Sequence, residues 1–170
     1  MRKILYSFVA FILIAGLAGC STLRRPGSVP ELGLDVVGAF SEGYSVKLVN
    51  DQQNATPQSY GSAGMNVFLA NYNEWTQFFI DDLSKEFIKR GVDVSNNSLN
   101  ELRVKLSGFQ LLQGFAVVRV NMRIDLEMPG KNWSKEMFVT DKSGWNDGRA
   151  FASVIYHSIE EILKKVSLII

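Results

Sequence analysis

The sequence predicts an α+β domain: an antiparallel β-meander sheet with two amphipathic helices packed on one face, in the order β-(β)-α-β-β-β-α. Over residues 116–128 apolar and polar side chains alternate, which is typical of a half-buried antiparallel strand. Over 74–90 and again over 151–166 apolar side chains recur every three or four positions, as on a helix with one buried face. The 170 residues fit one such domain.

The N-terminal part of the domain is predicted to hold two strands separated by a polar loop. Alternating apolar residues indicate a first strand over residues 43–50 and a second, shorter strand over 65–69. Residues 51–62 between them are rich in glutamine, asparagine, glycine and proline, which predicts a loop.

The first helix is predicted from Glu74 to about Arg90. Asn73 is positioned to cap its N-terminus, and Gly91 suits the left-handed conformation that commonly follows a helix end. Oppositely charged residues four positions apart predict two ion pairs on the polar side of this helix, namely Asp81–Lys85 and Glu86–Arg90.

The C-terminal part is predicted to be the meander, closed by a second helix. Its strands are expected around 102–106, 116–128 and 133–140, and the helix is capped by Asn146 or Asp147. On the long strand the side chains opposite the apolar set carry both charges: Arg119, Asn121, Arg123, Asp125 and Glu127. This row is interpreted as either a solvated sheet face or a docking surface for a partner protein.

The N-terminus has the organisation of an export signal. Arg2 and Lys3 precede an apolar run over residues 4–18, which is shorter than the roughly 20 residues that span a bilayer. The run ends in small residues followed by the single cysteine of the chain: Leu17, Ala18, Gly19 and Cys20.

This ending resembles the lipobox of bacterial lipoproteins. The resemblance implies cleavage before Cys20 and acylation of that residue with chains such as palmitate, which gives stable membrane attachment. It divides the chain into a lipoprotein signal peptide (1–19), a lipidated cysteine with a tether (20–42) and one periplasmic α+β domain (43–170). Because Ser21 replaces the aspartate that retains lipoproteins at the inner membrane, the resemblance implies the outer membrane, given a Gram-negative source.

The element order and several local patterns also resemble the YajG-like family of outer-membrane lipoproteins. The matching features are the strand and polar turn over 46–52, the helix end over 89–92 and the closing helix over 159–163. The resemblance covers nearly all of the mature chain and implies a membrane-tethered interaction module without catalysis. Lipopolysaccharide-assembly and lipid-transport lipoproteins share the helix-then-meander order, so the pattern does not separate these groups.

Composition excludes several classes of function. The chain has 18 basic and 17 acidic residues, so it lacks the excess of positive charge with which proteins bind the phosphates of nucleic acids. One cysteine excludes an intrachain disulfide, and one histidine excludes a His-rich metal site. The sequence contains no phosphate-binding or nucleophile motif. No catalytic residue, metal or cofactor is therefore predicted.

Two positions could still carry chemistry or binding. His157 is interpreted as one member of an exposed ion pair with Glu160 and Glu161, one helical turn away. Trp133 and Trp145 flank the last strand and its following loop, where polar and charged residues are close in sequence. Together with Arg119 and Arg123, these tryptophans are the candidate partner or glycan face.

Two functions fit these observations. One is a non-enzymatic accessory or interaction module in outer-membrane assembly, transport or maintenance, held by its lipid and bound to an envelope protein. The other is a carrier that holds lipid or glycan between the helices and the sheet, since the apolar stripes are rich in Phe, Trp and Met. A periplasmic hydrolase is a third alternative.

Overall fold

The computed structural model describes residues 21–41, 43–63, 66–144, 146–167 and 169. Eight strands and two α-helices lie in these ranges. In chain order they are β1 (Ser21–Arg24), β2 (Ser45–Asn50), β3 (Gln58–Ala63), β4 (Asn66–Ala70), α1 (Tyr72–Lys89), β5 (Asp93–Val94), β6 (Glu101–Gln113), β7 (Val118–Met128), β8 (Trp133–Ser143) and α2 (Asp147–Val166).

The strands form two sheets. The larger has the order β5-β2-β6-β7-β8 and the smaller the order β1-β4-β3. Strands β6, β7 and β8 are the predicted antiparallel meander, and both helices pack on the sheet. The predicted α+β class is therefore confirmed. The predicted element order was incomplete, because it lacked the smaller sheet and the parallel pairing of β2 with β5 and β6.

Strict alternation explains why β7 lies in the middle of the meander. Every second side chain from Val118 to Met128 is buried, and the intervening ones are exposed or partly exposed. The buried set faces the helices, whose own apolar stripes complete the core with residues that are almost fully buried: Phe79, Leu83, Phe87, Val154, Ile159 and Ile162. The helices thus cover one face of the meander and leave the other open.

The first helix begins two residues earlier than the sequence predicts. The side chain of Asn71, not that of Asn73, caps it by accepting the backbone N–H groups of Asn73 (3.1 Å) and Glu74 (3.2 Å). Asn73 instead donates its side-chain amide to the carbonyl of Gln52. Gly91 adopts the predicted left-handed conformation with φ of +84°. Asn71 and Asn73 have the same capping chemistry, but the side chain of Asn73 is used in the contact to Gln52.

The stretch predicted as a loop over 51–62 contains β3, which pairs antiparallel with β4. The backbone of Gly61 lies so close to β6 that a Cβ atom there would be 2.8 Å from the carbonyl oxygen of Leu111. Only glycine permits this approach. The smaller sheet is therefore packed beside the second half of β6.

The lead-in that the sequence predicts as a tether contacts the domain at two places. Strand β1 pairs in parallel with β4, and Leu32 is only 1% exposed. We call residues 31–40 the strap, because this irregular segment lies across α1. The packed part of the chain thus extends N-terminal to the predicted boundary at residue 43.

Candidate functional site

The predicted lipidation site lies outside the described residues, since Leu17, Ala18, Gly19 and Cys20 all precede Ser21. Ser21 is the first residue of β1 and pairs with Val67 of β4. Any group attached to Cys20 is therefore one residue away from a hydrogen-bonded strand. Neither α1 nor α2 contains an apolar stretch that is long enough to cross a membrane.

The strap is fixed by a buried ion pair on α1. Glu86 and Arg90 contact each other and are 5% and 0% exposed. The Glu86 carboxylate accepts the N–H of Leu32 at 3.0 Å, and the Arg90 guanidinium donates to the carbonyls of Val37 (3.1 Å) and Gly33 (3.2 Å). The prediction that this pair lies on a solvated helix side was wrong. The strap covers it and supplies the remaining hydrogen-bond partners.

The second ion pair predicted on α1, Asp81–Lys85, is replaced by contacts to other residues. Lys85 contacts Asp82 at 2.7 Å, while Asp81 accepts a hydrogen bond from Gln77. The hydrogen bond to Asp82 raises the pKa of Lys85 above its ordinary value. This pair is solvent-facing on its lysine side, as the sequence predicted for the helix. An open groove of about 290 Å³ separates it from the strap.

His157 has one partner that the sequence predicts and one that it does not. Its ring nitrogens lie 3.3 Å from the carboxylate of Glu160 and 3.5 Å from that of Asp141 on β8. Glu161 was a wrong choice of partner, because it pairs with Lys165 at 3.1 Å. A residue on a neighbouring strand gives no signal in the local sequence of the helix.

A serine, an aspartate and a histidine meet in this cluster without forming a relay for acyl transfer. The Ser153 hydroxyl donates to the same Asp141 oxygen that faces His157, whereas in a catalytic triad the histidine accepts the serine proton. Burial acts to raise the pKa of Asp141, but hydrogen bonds from Ser153 and the Lys142 backbone N–H lower it below its ordinary value. The hydrogen bond from Lys164 likewise lowers the pKa of Glu160. The cluster joins β8 to α2.

The predicted charged row lies on the open face of the meander. Arg123 pairs with Glu136 of β8 at 2.6 Å, and the exposed Phe138 is the cross-strand neighbour of Arg123. Arg119 lies directly opposite Lys142, and neither forms an ion pair with a carboxylate in the ranges that the structure describes. The row therefore contains a charge that is paired across the strands, at Arg123, and a positively charged part at Arg119.

The structure does not bring Trp133 together with the loop that follows β8. Trp133 packs partly buried against the core and pairs with Met128, while Ser143 at the other end of β8 pairs with Val118. Trp145 is outside the described residues. Trp133 and this loop therefore lie at opposite ends of β8, and the candidate partner or glycan face stays a prediction.

The interior between helices and sheet is occupied by aromatic side chains. The ring of Trp75 lies 4.9 Å from that of Phe109 and 5.0 Å from that of Phe151, and Tyr60 packs edge-on against Phe151 at 5.5 Å. Tyr60 is buried, and burial raises the pKa of its hydroxyl. The Phe- and Trp-rich stripe is thus used for core packing.

One exposed apolar surface was missed by the sequence analysis. The last two residues of β6 and the turn to β7, residues 112–117, are exposed throughout, and we call this segment the hairpin tip. Phe115 is 95% exposed, with Leu112 and Val117 also exposed on either side. The signal was present in the sequence, because an apolar side chain in a hairpin turn has no sheet face to bury it.

No protein-family model matches the chain, and no curated protein matches it either. Solved structures that are similar to the chain include two with low sequence identity. One is the crystal structure of an uncharacterized protein, with 12% identity and a TM-score of 0.45, covering 87% of this chain and 96% of that one. The other is lipoprotein GNA1162 from Neisseria meningitidis, with 9% identity and a TM-score of 0.37, covering 72% and 99%. Both TM-scores are below 0.5, so neither likeness assigns a family or a function.

Proposed function

We propose that the protein is a lipid-anchored envelope lipoprotein, facing the periplasm from the outer membrane. It acts as a non-enzymatic accessory or interaction module in outer-membrane assembly, transport or maintenance. The observation that carries the proposal is the lipobox, Leu17 to Cys20, with the single cysteine of the chain at the position that lipidation requires. Membership of the YajG-like family is part of the same proposal and rests on the sequence resemblance.

The partner surface in this proposal is the open face of the meander. The helices cover the opposite face, so the row that includes Arg123 is free to meet another protein. Phe138 gives this face an exposed aromatic side chain beside a charged pair, and aromatic and arginine residues dominate protein interfaces energetically.

The arrangement of the other polar groups favours a non-enzymatic role. Ser153 and Asp141 bind each other and His157 faces two carboxylates, so each group already has a structural partner. The carrier alternative requires space between helices and sheet, and the rings of Trp75 and Phe109 fill that space. The accessory role is therefore the better supported of the two.

The anchor is tested by replacing Cys20. In a Gram-negative host grown with labelled palmitate, Cys20→Ser should lose the label and leave the membrane fraction after a salt wash. Ser21→Asp is the matched control: it should keep the label but move the protein to the inner membrane. A Cys20→Ser protein that stays in the membrane pellet would show that the lipid anchor is wrong.

The partner surface is tested by photocrosslinking in the same cells. A photoreactive phenylalanine analogue at position 138 should give one discrete crosslinked envelope protein, and the same analogue at the exposed position 99 should not. Equal crosslinking from both positions would count against the open face as the partner surface.

A further inference from the structure

The attachment point of the lipid and the hairpin tip lie at the same end of the domain. Ser21 pairs with Val67, which pairs with Ser62, so two strand spacings place Ser21 about 10 Å from Ser62. The preceding residue, Gly61, lies against Leu111, and the hairpin tip begins at the residue after Leu111. Ser21, which follows Cys20 in the sequence, therefore lies towards the end of the domain that carries the hairpin tip.

The hairpin tip has the composition of a segment that enters the interfacial region of a bilayer. Phe115 is exposed almost completely, and Leu112 and Val117 present further apolar surface on either side of it. Leu23 of β1 and Val67 of β4 are also exposed, on the pair of strands that begins at the attachment point. Apolar side chains of this kind bind membranes by burial among the lipid head groups and upper acyl chains.

Two positive charges lie immediately behind the hairpin tip. Arg119 on β7 and Lys142 on β8 are directly opposite each other. Arg119 is two residues after the last residue of the hairpin tip, and Lys142 is one residue before the end of β8. Like charges in a cross-strand pair repel each other, and no described carboxylate lies within ion-pair distance of either side chain. Anionic phospholipid head groups attract such residues near a membrane surface.

We propose that the hairpin tip inserts into the head-group region of the anionic bilayer that holds the acyl chains of Cys20. The inference rests on the proposed lipid anchor and deepens it: the domain lies against its own membrane through a defined end. The strap and β1 are packed on the domain, so the anchor is attached to a rigid body and not to a long tether. A second, weak contact next to an anchor gains from the high local concentration that the anchor imposes.

The opposite end of the meander provides an internal control. Leu99 is 95% exposed, as Phe115 is, but it lies beside Gly130 in the turn between β7 and β8. The 13 residues of β6 place it about 40 Å from the hairpin tip. Equal exposure at both ends means that a difference between them reports orientation on the membrane.

The test uses lipidated protein in vesicles of phosphatidylethanolamine and phosphatidylglycerol. The thiol of Cys20 is blocked by its lipid, so Phe115→Cys and Leu99→Cys each create one free thiol for the environment-sensitive dye NBD. We expect NBD at position 115 to shift its emission to shorter wavelength and to be quenched by nitroxide-labelled lipids. NBD at position 99 should behave as it does in water.

Flotation of the same vesicles separates the two proposals. If the protein does not float with the vesicles, the anchor and the inference both fail. If it floats and NBD at 115 stays in water, the anchor stands and the docking of the hairpin tip is wrong. A blue shift at 115 without vesicles would mean that a second copy covers the tip, which also overturns the inference.

The basic pair is tested on the unlipidated Cys20→Ser protein with phosphatidylglycerol vesicles. Replacing Arg119 and Lys142 by glutamine should weaken vesicle binding by about 10–30-fold, from about 1 kcal/mol for each charge. The same replacement of the exposed Lys131 and Lys135 at the opposite end should leave binding unchanged. Equal weakening by both double variants would contradict an oriented contact.

Discussion

The face of α1 under the strap and the hairpin tip both place side chains opposite to what their polarity suggests. Under the strap, the charges of Glu86 and Arg90 are buried and neutralise each other. At the hairpin tip, Phe115 is exposed in a turn. Burial therefore depends on the available partners as well as on polarity: a charge is buried where hydrogen bonds surround it, and an apolar side chain stays exposed in a turn that has no sheet face to cover it.

The strap makes burial of Arg90 tolerable. Its guanidinium donates to the Glu86 carboxylate and to three carbonyl groups, of which two belong to the strap. A buried ion pair is often no better than an apolar pair of similar shape, but loss of one partner leaves an uncompensated charge. The pair therefore couples the position of the strap to the stability of α1.

The largest expected effect comes from breaking this buried pair. Arg90→Met should lower the free energy of unfolding by about 3–5 kcal/mol, because the Glu86 charge is left without a partner. Urea denaturation measures the loss, and amide exchange of Leu32, whose N–H donates to Glu86, shows whether the strap detaches. Lys85→Met breaks the exposed pair with Asp82 and should cost at most about 1 kcal/mol. Equal losses for the two variants would contradict a buried pair.

A smaller effect is expected from the apolar contact of the strap. Leu32→Ala should destabilise the protein by about 2–4 kcal/mol, because the side chain is 1% exposed. Leu34→Ala, two residues away and half exposed, should change stability by no more than about 0.5 kcal/mol. If thermal denaturation gives the same melting temperature for both variants, the strap is not packed as described.

The hairpin tip should contribute almost nothing to stability in water. Phe115→Ser is expected to change the free energy of unfolding by less than about 0.5 kcal/mol, since the side chain loses no core contacts. In the unlipidated Cys20→Ser protein, without any dye attached, Phe115→Ser should also reduce binding to phosphatidylglycerol vesicles. A large loss of stability would place Phe115 in the core and remove the contrast with the strap.

A modest effect is expected at Asp141, whose surroundings lie between these extremes. Its pKa in the folded protein is below the ordinary value of 3.8, so its contribution to stability is present above that pH. The contribution is lost as the pH falls through the lower folded value. Asp141→Asn should therefore destabilise the protein at neutral pH by at most about 1 kcal/mol, and the difference should shrink in acid.

His157→Gln is the control for that titration. It keeps the hydrogen bond from Ser153, which lowers the pKa of Asp141 more strongly than the charge of His157 does. The acid-dependent loss of stability should therefore persist in this variant. If denaturation curves show that it disappears, the histidine and not the serine controls the carboxylate.

Local patterns were sufficient to predict the elements that form the core. The alternation over β7 and the stripes of α1 and α2 each depend on one face being buried, and that face is visible in consecutive residues. Strand β3 was missed because its residues are mostly small or polar, and over its residues 58–62 Tyr60 alone is buried and apolar. Its pairing with β4 supplies the stabilisation that its side chains do not indicate.

The candidate sites were predictable only where the signal is local. The lipobox is four consecutive residues, so the sequence alone contains it. The environment of Glu86 and Arg90 was not predictable, because i,i+4 spacing is the same for exposed and buried pairs and the covering strap is more than 50 residues away. The contact of His157 with Asp141 likewise depends on the packing of α2 against β8.

In the proposed orientation, one end of a rigid domain faces the membrane. The height of the opposite end above the bilayer is the most direct test of this orientation. Time-resolved energy transfer can measure this height from a donor at position 99 of the lipidated protein to acceptor lipids in the vesicle surface. We expect one narrow distribution of distances centred at about 40 Å, the length of β6. A broad distribution that includes close approaches of position 99 would contradict it, because that result requires a domain that moves on a flexible tether.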